Sequence, residues 1–195
     1  MDKVAILILA AGNSSRMEDK IKQLLPWRQT TLLGHAIHEA KKLKALAIYV
    51  VLGANAEIIK PTISEKDVLI LEYKYWKQGI GTSIAFGVQQ LVKENKYDAV
   101  LIQLADQPYL DATYLQQLFN LYANNNPVII ATKYRNSKGV PAIFNKDYFL
   151  DLINLNGDTG AKALLKFENV IAIDPKEKVV DIDTWEEYQR YFRAE

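Results

Sequence analysis

The sequence predicts an α/β fold: a three-layer α/β/α sandwich around a mostly parallel, Rossmann-like sheet. Three observations predict it. Apolar runs alternate with amphipathic segments through most of the 195 residues, as they do when strands are joined by crossover helices. The runs are short, apolar and rich in β-branched residues, which suits buried strands. Small or acidic residues follow several runs directly, where parallel sheets place their ligands.

The elements follow in order. Val4–Leu9 reads as a buried strand feeding the loop Ala10-Ala11-Gly12-Asn13-Ser14-Ser15, with Arg16, Lys20 and Lys22 just beyond. Trp27-Arg28-Gln29 is a turn. Thr30 or Thr31 caps a helix to about Lys44 that buries Leu33, Ala36, Ile37, Ala40 and Leu43 on one face. Ala47–Leu52 is a second strand stopped by Gly53, and Asn55–Ile63 a short helix broken near Pro61. Val68–Leu71 is a third strand. It leads into an aromatic, glycine-rich loop, Glu72 to Ser83, whose Thr82 or Ser83 caps a helix Ile84–Lys93. Tyr97–Leu104 is a fourth strand ending in Ala105-Asp106-Gln107-Pro108. Asp111 caps a helix Ala112–Ala123. Val128–Ala131 is a fifth strand, and Lys138–Phe144 a turn leading into another. Helices are expected over Lys146–Asn154 and Thr159–Phe167, late strands over Val170–Ile173 and Val179–Ile182, and a closing helix over Trp185–Phe192.

Composition narrows the function. The hydrophobic fraction is 49% and the charged fraction 24%, ordinary for a globular protein. With 24 Lys+Arg against 23 Asp+Glu, a formal charge of +1 calls for neither nucleic acid nor an anionic membrane. No cysteine is present, which excludes disulfides, thiolate metal sites and a cysteine nucleophile. The opening apolar run is too short to span a bilayer and lacks a cleavage pattern. A cytoplasmic protein of one domain, residues 1–195, is expected.

The opening loop has two readings. Gly12 can simply permit a tight bend. Alternatively, small residues let backbone N–H groups approach an anion while neighbouring cations neutralise it, which suits a nucleoside triphosphate. Neither G-x-x-x-x-G-K-[ST] nor G-x-G-x-x-G is present. Asp106 ends an apolar strand, where a charge is costly unless something binds it. It is a Mg²⁺ ligand, or else a helix cap or a surface loop aspartate. Asp181 and Asp183, two apart in extended chain, can face one cation, or form a solvated edge with Asp183 or Thr184 capping the last helix. The Tyr73–Ser83 loop can hold a base or ribose through Gly79, Gly81, Thr82 and Ser83, or its aromatics belong to the core. His35 and His38 lack a third ligand and read as surface or packing histidines.

Taken together, these stretches resemble the nucleotidyltransferases of molybdenum cofactor maturation, the cytidylyltransferases most closely and the molybdopterin guanylyltransferases next. Leu9-Ala10-Ala11-Gly12-Asn13-Ser14-Ser15-Arg16-Met17 is similar to L-A-A-G-x-S-x-R-M, and Lys22-Gln23-Leu24-Leu25-Pro26 continues it. Trp76 to Ser83 resembles W-x-x-G-x-x-x-S. Asp106-Gln107-Pro108, Gly139-Val140-Pro141, Gly157-Asp158-Thr159-Gly160-Ala161-Lys162 and Asp181-Ile182-Asp183-Thr184 match D-Q-P, G-x-P, G-D-x-G-A-[RK] and D-I-D-T.

The resemblance implies a fold of the nucleotide-diphospho-sugar transferase type. It implies Mg²⁺-dependent transfer of a nucleoside monophosphate to a phosphate-bearing, molybdopterin-type acceptor, with release of pyrophosphate. On this reading Leu9 to Ser15, Gly79, Thr82 and Ser83 bind the nucleotide. Arg16, Lys22 and Asp106 are catalytic, and Asp106, Asp181 and Asp183 hold the metal. Ala11 points to CTP rather than GTP. A molybdenum hydroxylase apoenzyme is the partner the resemblance suggests.

The sequence departs from the pattern in several places. Glu18 stands where Gly is usual, and one extra residue before Lys22 makes Lys20 its rival for phosphate. Tyr73 replaces a frequent Asn, Val140 a frequent His, and Trp185 the usual Pro. Two rival functions are a sugar- or polyol-phosphate cytidylyltransferase of the same fold, such as a methylerythritol phosphate cytidylyltransferase, and a non-catalytic nucleotide- or cofactor-binding chaperone.

Overall fold

The computed structural model describes residues 3–125, 129–167, 169–176 and 180–192. Strand β1 is Val4–Ala10. A small hairpin follows, β2 Pro26–Trp27 and β3 Thr30–Thr31, turned by Arg28 at φ 51. Then come α1 Leu32–Lys41, β4 Ala47–Leu52, α2 Ala56–Ile59, β5 Val68–Glu72, α3 Ile80–Glu94, β6 Ala99–Leu104, α4 Ala112–Asn124, β7 Ile129–Tyr134, β8 Ser137–Asn145, α5 Phe149–Ile153, β9 Val170–Ile173 and α6 Trp185–Phe192.

Seven strands form one sheet in the order β5-β4-β1-β6-β8-β7-β9. Its pairs are parallel except those made by β8, which runs against β6 and β7. The order reverses between β1 and β6, so their carboxyl ends flank the crevice where such sheets bind ligands.

β1 is buried along its whole length, and its alternate residues feed two cores. Val4, Ile6 and Ile8 pack under α1 and α4; Ala5, Leu7 and Leu9 pack under α3 and α5. A third, smaller core joins the opening loop to the end of the chain. Met17, Trp27 and Leu32 meet Ile182 and Tyr188 there, and the Tyr188 hydroxyl donates to the Pro26 carbonyl at 2.8 Å.

Several caps are as the sequence predicts. Thr31 accepts from Gly34 N–H at 3.0 Å, and Asp111 accepts from Tyr114 N–H at 2.9 Å. Thr184, not Asp183, caps α6: its hydroxyl accepts from Glu187 N–H, and the Glu187 carboxylate accepts from Asp183 and Thr184 N–H in return.

Other boundaries differ. α1 ends at Lys41. α3 begins at Ile80 rather than Ile84, because Gly79 at φ 106 turns the chain directly into the helix. Lys146–Asn154 is a 3₁₀ turn followed by the short α5, and the second expected helix is a 3₁₀ run, Gly160–Lys166. Val128 and Val179 lie outside the described residues, and residues 180–182 do not form a strand. Among the described residues no helix is long and apolar enough to cross a membrane.

Candidate active site

The loop after β1 is held open by one buried side chain. Gln23 lies in the 3₁₀ turn Lys22–Leu24, and its amide donates to the Ala10 and Gly12 carbonyls at 3.1 and 3.0 Å. Ser14, left-handed at φ 57, donates to the Gln23 carbonyl oxygen and accepts from Lys22 N–H at 2.9 Å. Gly12 is not among the positive-φ residues, and a Cβ built on it meets nothing within 4 Å. A bend therefore does not require glycine there. What the missing side chain leaves is open space.

That space belongs to a cleft of about 340 Å³ between Ala10–Asn13, Lys22, Trp76–Ile80, Ser83 and the end of β6 at Asp106. The Trp76–Ser83 wall is fixed by close backbone approach. Gly81 N–H donates to Gly157 O at 2.8 Å, and a Cβ on Gly79 would lie 2.4 Å from the Gly157 carbonyl. A second cleft of about 330 Å³ adjoins the first and shares Leu9, Ile80, Leu104 and Asp158 with it. Gln107, Tyr134, Lys138, Lys162 and Asp181 shape its polar side, and Val140 adds an apolar patch.

Charged groups run from the first cleft, at Lys22 and Asp106, to the second, at Asp181. Lys22 Nζ lies 2.5 Å from Asp106 Oδ2 and 3.1 Å from Asp183 Oδ1, and Arg16 lies 3.2 Å from Asp183 Oδ2. Burial alone would lower the Lys22 pKa, but Asp106 and Asp183 outweigh it and hold the ammonium above the ordinary lysine value. Asp181 accepts from the Gln107 amide at 2.7 Å, and the same nitrogen donates to the Tyr134 hydroxyl at 2.7 Å. Tyr134 in turn donates to the Val140 carbonyl. Loss of water on its protein side pushes the Asp181 carboxyl up; the Gln107 amide opposes this, while Asp106 and Asp183 add to it. Desolvation likewise pushes the Tyr134 phenol well up.

The fit to a divalent cation rests on one atom. Asp106 Oδ1 is buried without a hydrogen-bond partner, the state of a carboxylate oxygen suited to a hard cation. Among the described residues no three His, Asp or Glu side chains form a ready metal set. A cation at Asp106 would need oxygens from a phosphate ligand to complete its shell.

Of the residues singled out from sequence, Leu9, Ala10, Ala11, Gly12, Asn13, Lys22, Gly79, Ser83 and Asp106 line the first cleft. Asp181 lines the second. Asp183 joins Arg16 and Lys22. Ser14 braces the loop, and Ser15 is exposed beyond it. Thr82 is not part of the cleft lining; its hydroxyl turns back to donate to Gly79 O at 2.8 Å. That is a consequence of the helix starting earlier than Thr82. Lys20 leaves the cleft altogether and sits 4.1 Å over the Trp185 ring.

His35 is buried with Nε2 3.0 Å from the Pro108 carbonyl, and desolvation lowers its pKa; His38 is exposed. Gln23, Gln107, Tyr134 and Asp158 received no role from sequence. Gln23, Gln107 and Asp158 do lie inside recognised motifs, and Tyr134 gave no signal.

A switch-point crevice with an open small-residue loop, a buried lysine between carboxylates and a second adjoining cleft places the chain among α/β proteins that hold ligands at the carboxyl ends of their strands. Comparison with known proteins makes the class narrower. Residues 6–174 match the model of the MobA-like NTP transferase domain, and the chain belongs to that family.

A crystal structure of Rv0371c from Mycobacterium tuberculosis H37Rv superposes with TM-score 0.84 at 23% identity, covering 98% of both chains. Its homolog from mycobacterium sp. strain JC1 gives 0.82 at 27% identity over 98% of this chain and 96% of that one. Rv0371c in complex with manganese gives 0.78 at 24%, covering 99% of this chain and all of that one. Among curated proteins, the bifunctional protein GlmU of Pseudomonas putida strain F1 is 33% identical over 114 residues. That match takes in 58% of this chain but only 24% of the relative's length.

Proposed function

We propose that this chain is a divalent-metal-dependent nucleotidyltransferase that moves CMP from CTP to a molybdopterin-type acceptor phosphate and releases pyrophosphate. The observation that carries the reading is Lys22, which lines the first cleft beside Asp106 and is held between Asp106 and Asp183, while Gln107, next in the chain to Asp106, lines the second cleft. Triphosphate in the first cleft and acceptor in the second bring the two reactants to the same charges.

The chemistry then needs little acid–base work. An acceptor phosphate oxygen, already ionised near neutral pH, attacks the α-phosphorus. The new P–O bond forms as the bond to the bridging oxygen breaks, and pyrophosphate leaves with that electron pair. Positioning lowers the barrier by making the encounter intramolecular. Lys22 and Arg16 neutralise charge gathering on the leaving group. Residues Leu9 to Ser15 hold the phosphates, and Gly79 with Ser83 shapes the nucleoside end; Thr82 acts only through the Gly79 carbonyl. Asp106, with Asp181 or Asp183, is the donor set for Mg²⁺, which when bound neutralises phosphate charge.

Ala11 favours CTP over GTP through the motif it completes. The structural likeness to Rv0371c, which has been crystallised with manganese, motivates testing Mn²⁺ beside Mg²⁺. Handover of product to a molybdenum hydroxylase apoenzyme belongs to the same reading.

The test is pyrophosphate release from CTP, GTP and ATP, each with Mg²⁺, Mn²⁺ or chelator. Molybdopterin-type, sugar-phosphate and polyol-phosphate acceptors are compared. Release with CTP and the first acceptor, falling about a hundredfold or more in Asp106→Asn, is the expected result. No binding of any nucleoside triphosphate by calorimetry refutes the transferase and leaves a cofactor-binding chaperone. Turnover with a sugar or polyol phosphate alone moves the chain to that branch.

A further inference from the structure

The second cleft opens, past Lys138 and Lys162, into an outer hollow of about 530 Å³ beside the β7–β8 hairpin. Five cations line that hollow: Lys133, Arg135, Lys138, Lys162 and Lys166. No aspartate or glutamate lines it among the described residues. The whole chain is almost neutral, at +1, so the hollow is a local concentration of charge and not general basicity.

Two of the five are already engaged. Lys138 Nζ donates to the Val170 carbonyl at 3.2 Å, and Lys133 Nζ lies 3.7 Å from Asp174, which lines an adjoining hollow. The side chains of Arg135, Lys162 and Lys166 have no partner among the described residues. Like charges gathered without counter-charge cost free energy, and a guanidinium flanked by ammonium groups suits a phosphate-like anion. Lys138 and Lys162 face both spaces, whereas Arg135 and Lys166 line the outer hollow and not the second cleft.

We propose that the outer hollow binds a second, phosphate-like anionic group at the far end of the acceptor. The acceptor class is then a bis-anionic molecule: one anion is offered for attack near Lys22 and the other is anchored by Arg135, Lys162 and Lys166. This rests on the transferase reading above, in which the second cleft takes the acceptor.

The test uses alkanediol bisphosphates over a series of chain lengths, each beside the alkyl monophosphate of equal length. Calorimetry measures their binding to the full chain, and CTP with Mg²⁺ is titrated separately. At some length the bisphosphate is expected to bind roughly tenfold or more tightly than its monophosphate. That advantage shrinks as salt shortens the Debye length below about 10 Å. It disappears in the double variant R135Q/K166Q, whose CTP binding stays unchanged; both residues are exposed, and circular dichroism checks the fold.

Equal binding of bisphosphate and monophosphate at every length overturns the proposal. So does an advantage that survives the double variant. Binding of polyglutamate without any bisphosphate preference overturns it in favour of an acidic protein surface. Failure of CTP binding with the bisphosphate preference intact refutes the transferase reading and leaves the anion site standing, so the two failures are distinguishable.

Discussion

Replacing Lys22 by Met removes one positive charge from between two carboxylates and leaves the aliphatic stem in place. The side chains of Lys22 and Asp106 are only 16% and 18% exposed, while Asp183 is more open at 37%. Deleting one partner of a fully buried ion pair costs about 3–5 kcal/mol. Water can still reach these carboxylates, so the expected loss is smaller, about 2 kcal/mol. For a chain of this size that is about 4–8 °C in Tm.

The pH dependence has a definite sign. The folded-state pKa of Lys22 is raised above its ordinary 10.5. Its contribution is fully present below 10.5 and is lost as pH rises through the higher folded value. Lys22→Met should therefore show a flatter stability profile on that alkaline side.

Two further readouts separate a phosphate-facing lysine from a purely structural one. Removing a group that meets developing charge lowers kcat by about 10²–10³. Yet the same change leaves Asp106 and Asp183 without their cation, so Mn²⁺ alone should bind the variant more tightly than the parent. Pyrophosphate release, Mn²⁺ calorimetry and thermal unfolding measure the three effects. A kcat within about threefold of the parent refutes the catalytic argument, and an unchanged Tm refutes the ion cluster.

Three other changes test separate parts of the site. Lys20→Ala removes an exposed cation–π contact with Trp185 and should cost about 0.5–1 kcal/mol with CTP affinity unchanged; a loss of affinity comparable to Lys22→Met would return Lys20 to the phosphate site. Gly79→Ala forces a Cβ to within 2.4 Å of Gly157 at φ 106, and urea unfolding should show a loss of about 2 kcal/mol or more; an unchanged midpoint contradicts the tight docking of that loop. Asp181 is raised above the ordinary 3.8, first by desolvation, so the folded state loses stability as pH rises through the higher value. Asp181→Asn should therefore be the more stable protein at neutral pH while losing turnover and the acid limb of its pH–rate profile; a profile that keeps that limb assigns it to another group.

How far the sequence could be read depended on the range of the forces involved. β1 and β4 are apolar throughout, and β6 but for Gln103, because helices cover both faces of the sheet, and that property is visible locally. The caps at Thr31 and Asp111 are visible for the same reason. The start of α3 was not, since Thr82 and Ser83 are good local caps and only the docking of Gly79 against Gly157 overrides them. Spacing alone kept Lys20 as a rival to Lys22. What separates them is the left-handed turn at Glu18 and Asp19, φ 48 and 65, together with the distant ring of Trp185. The motif's usual glycine at the Glu18 position fits that backbone. The role of Gln107 was hidden because Tyr134 and Asp181 lie 27 and 74 residues away from it.

The closing D-I-D segment shows how a period-2 pattern acts without a strand. Ile182 is fully buried beside Met17, Trp27 and Tyr188, and its N–H donates to the Asp106 carbonyl at 3.0 Å. That single ladder-like bond and one buried side chain do the work of a strand. Alternation turns Asp181 and Asp183 away from the small core, the first toward the second cleft and the other toward Lys22 and Arg16, near enough for each other's charge to be felt. The same core buries Met17, which closes the turn after Ser14 through its N–H to Ser14 O at 2.9 Å. The opening loop, Asp106 and the last carboxylates are thus tied into one mechanical unit, although the chain between them builds the entire sheet. A change that loosens Ile182 from its pocket should disturb the loop and both carboxylates together, and leave the strand pairing of β1 with β4 and β6 intact.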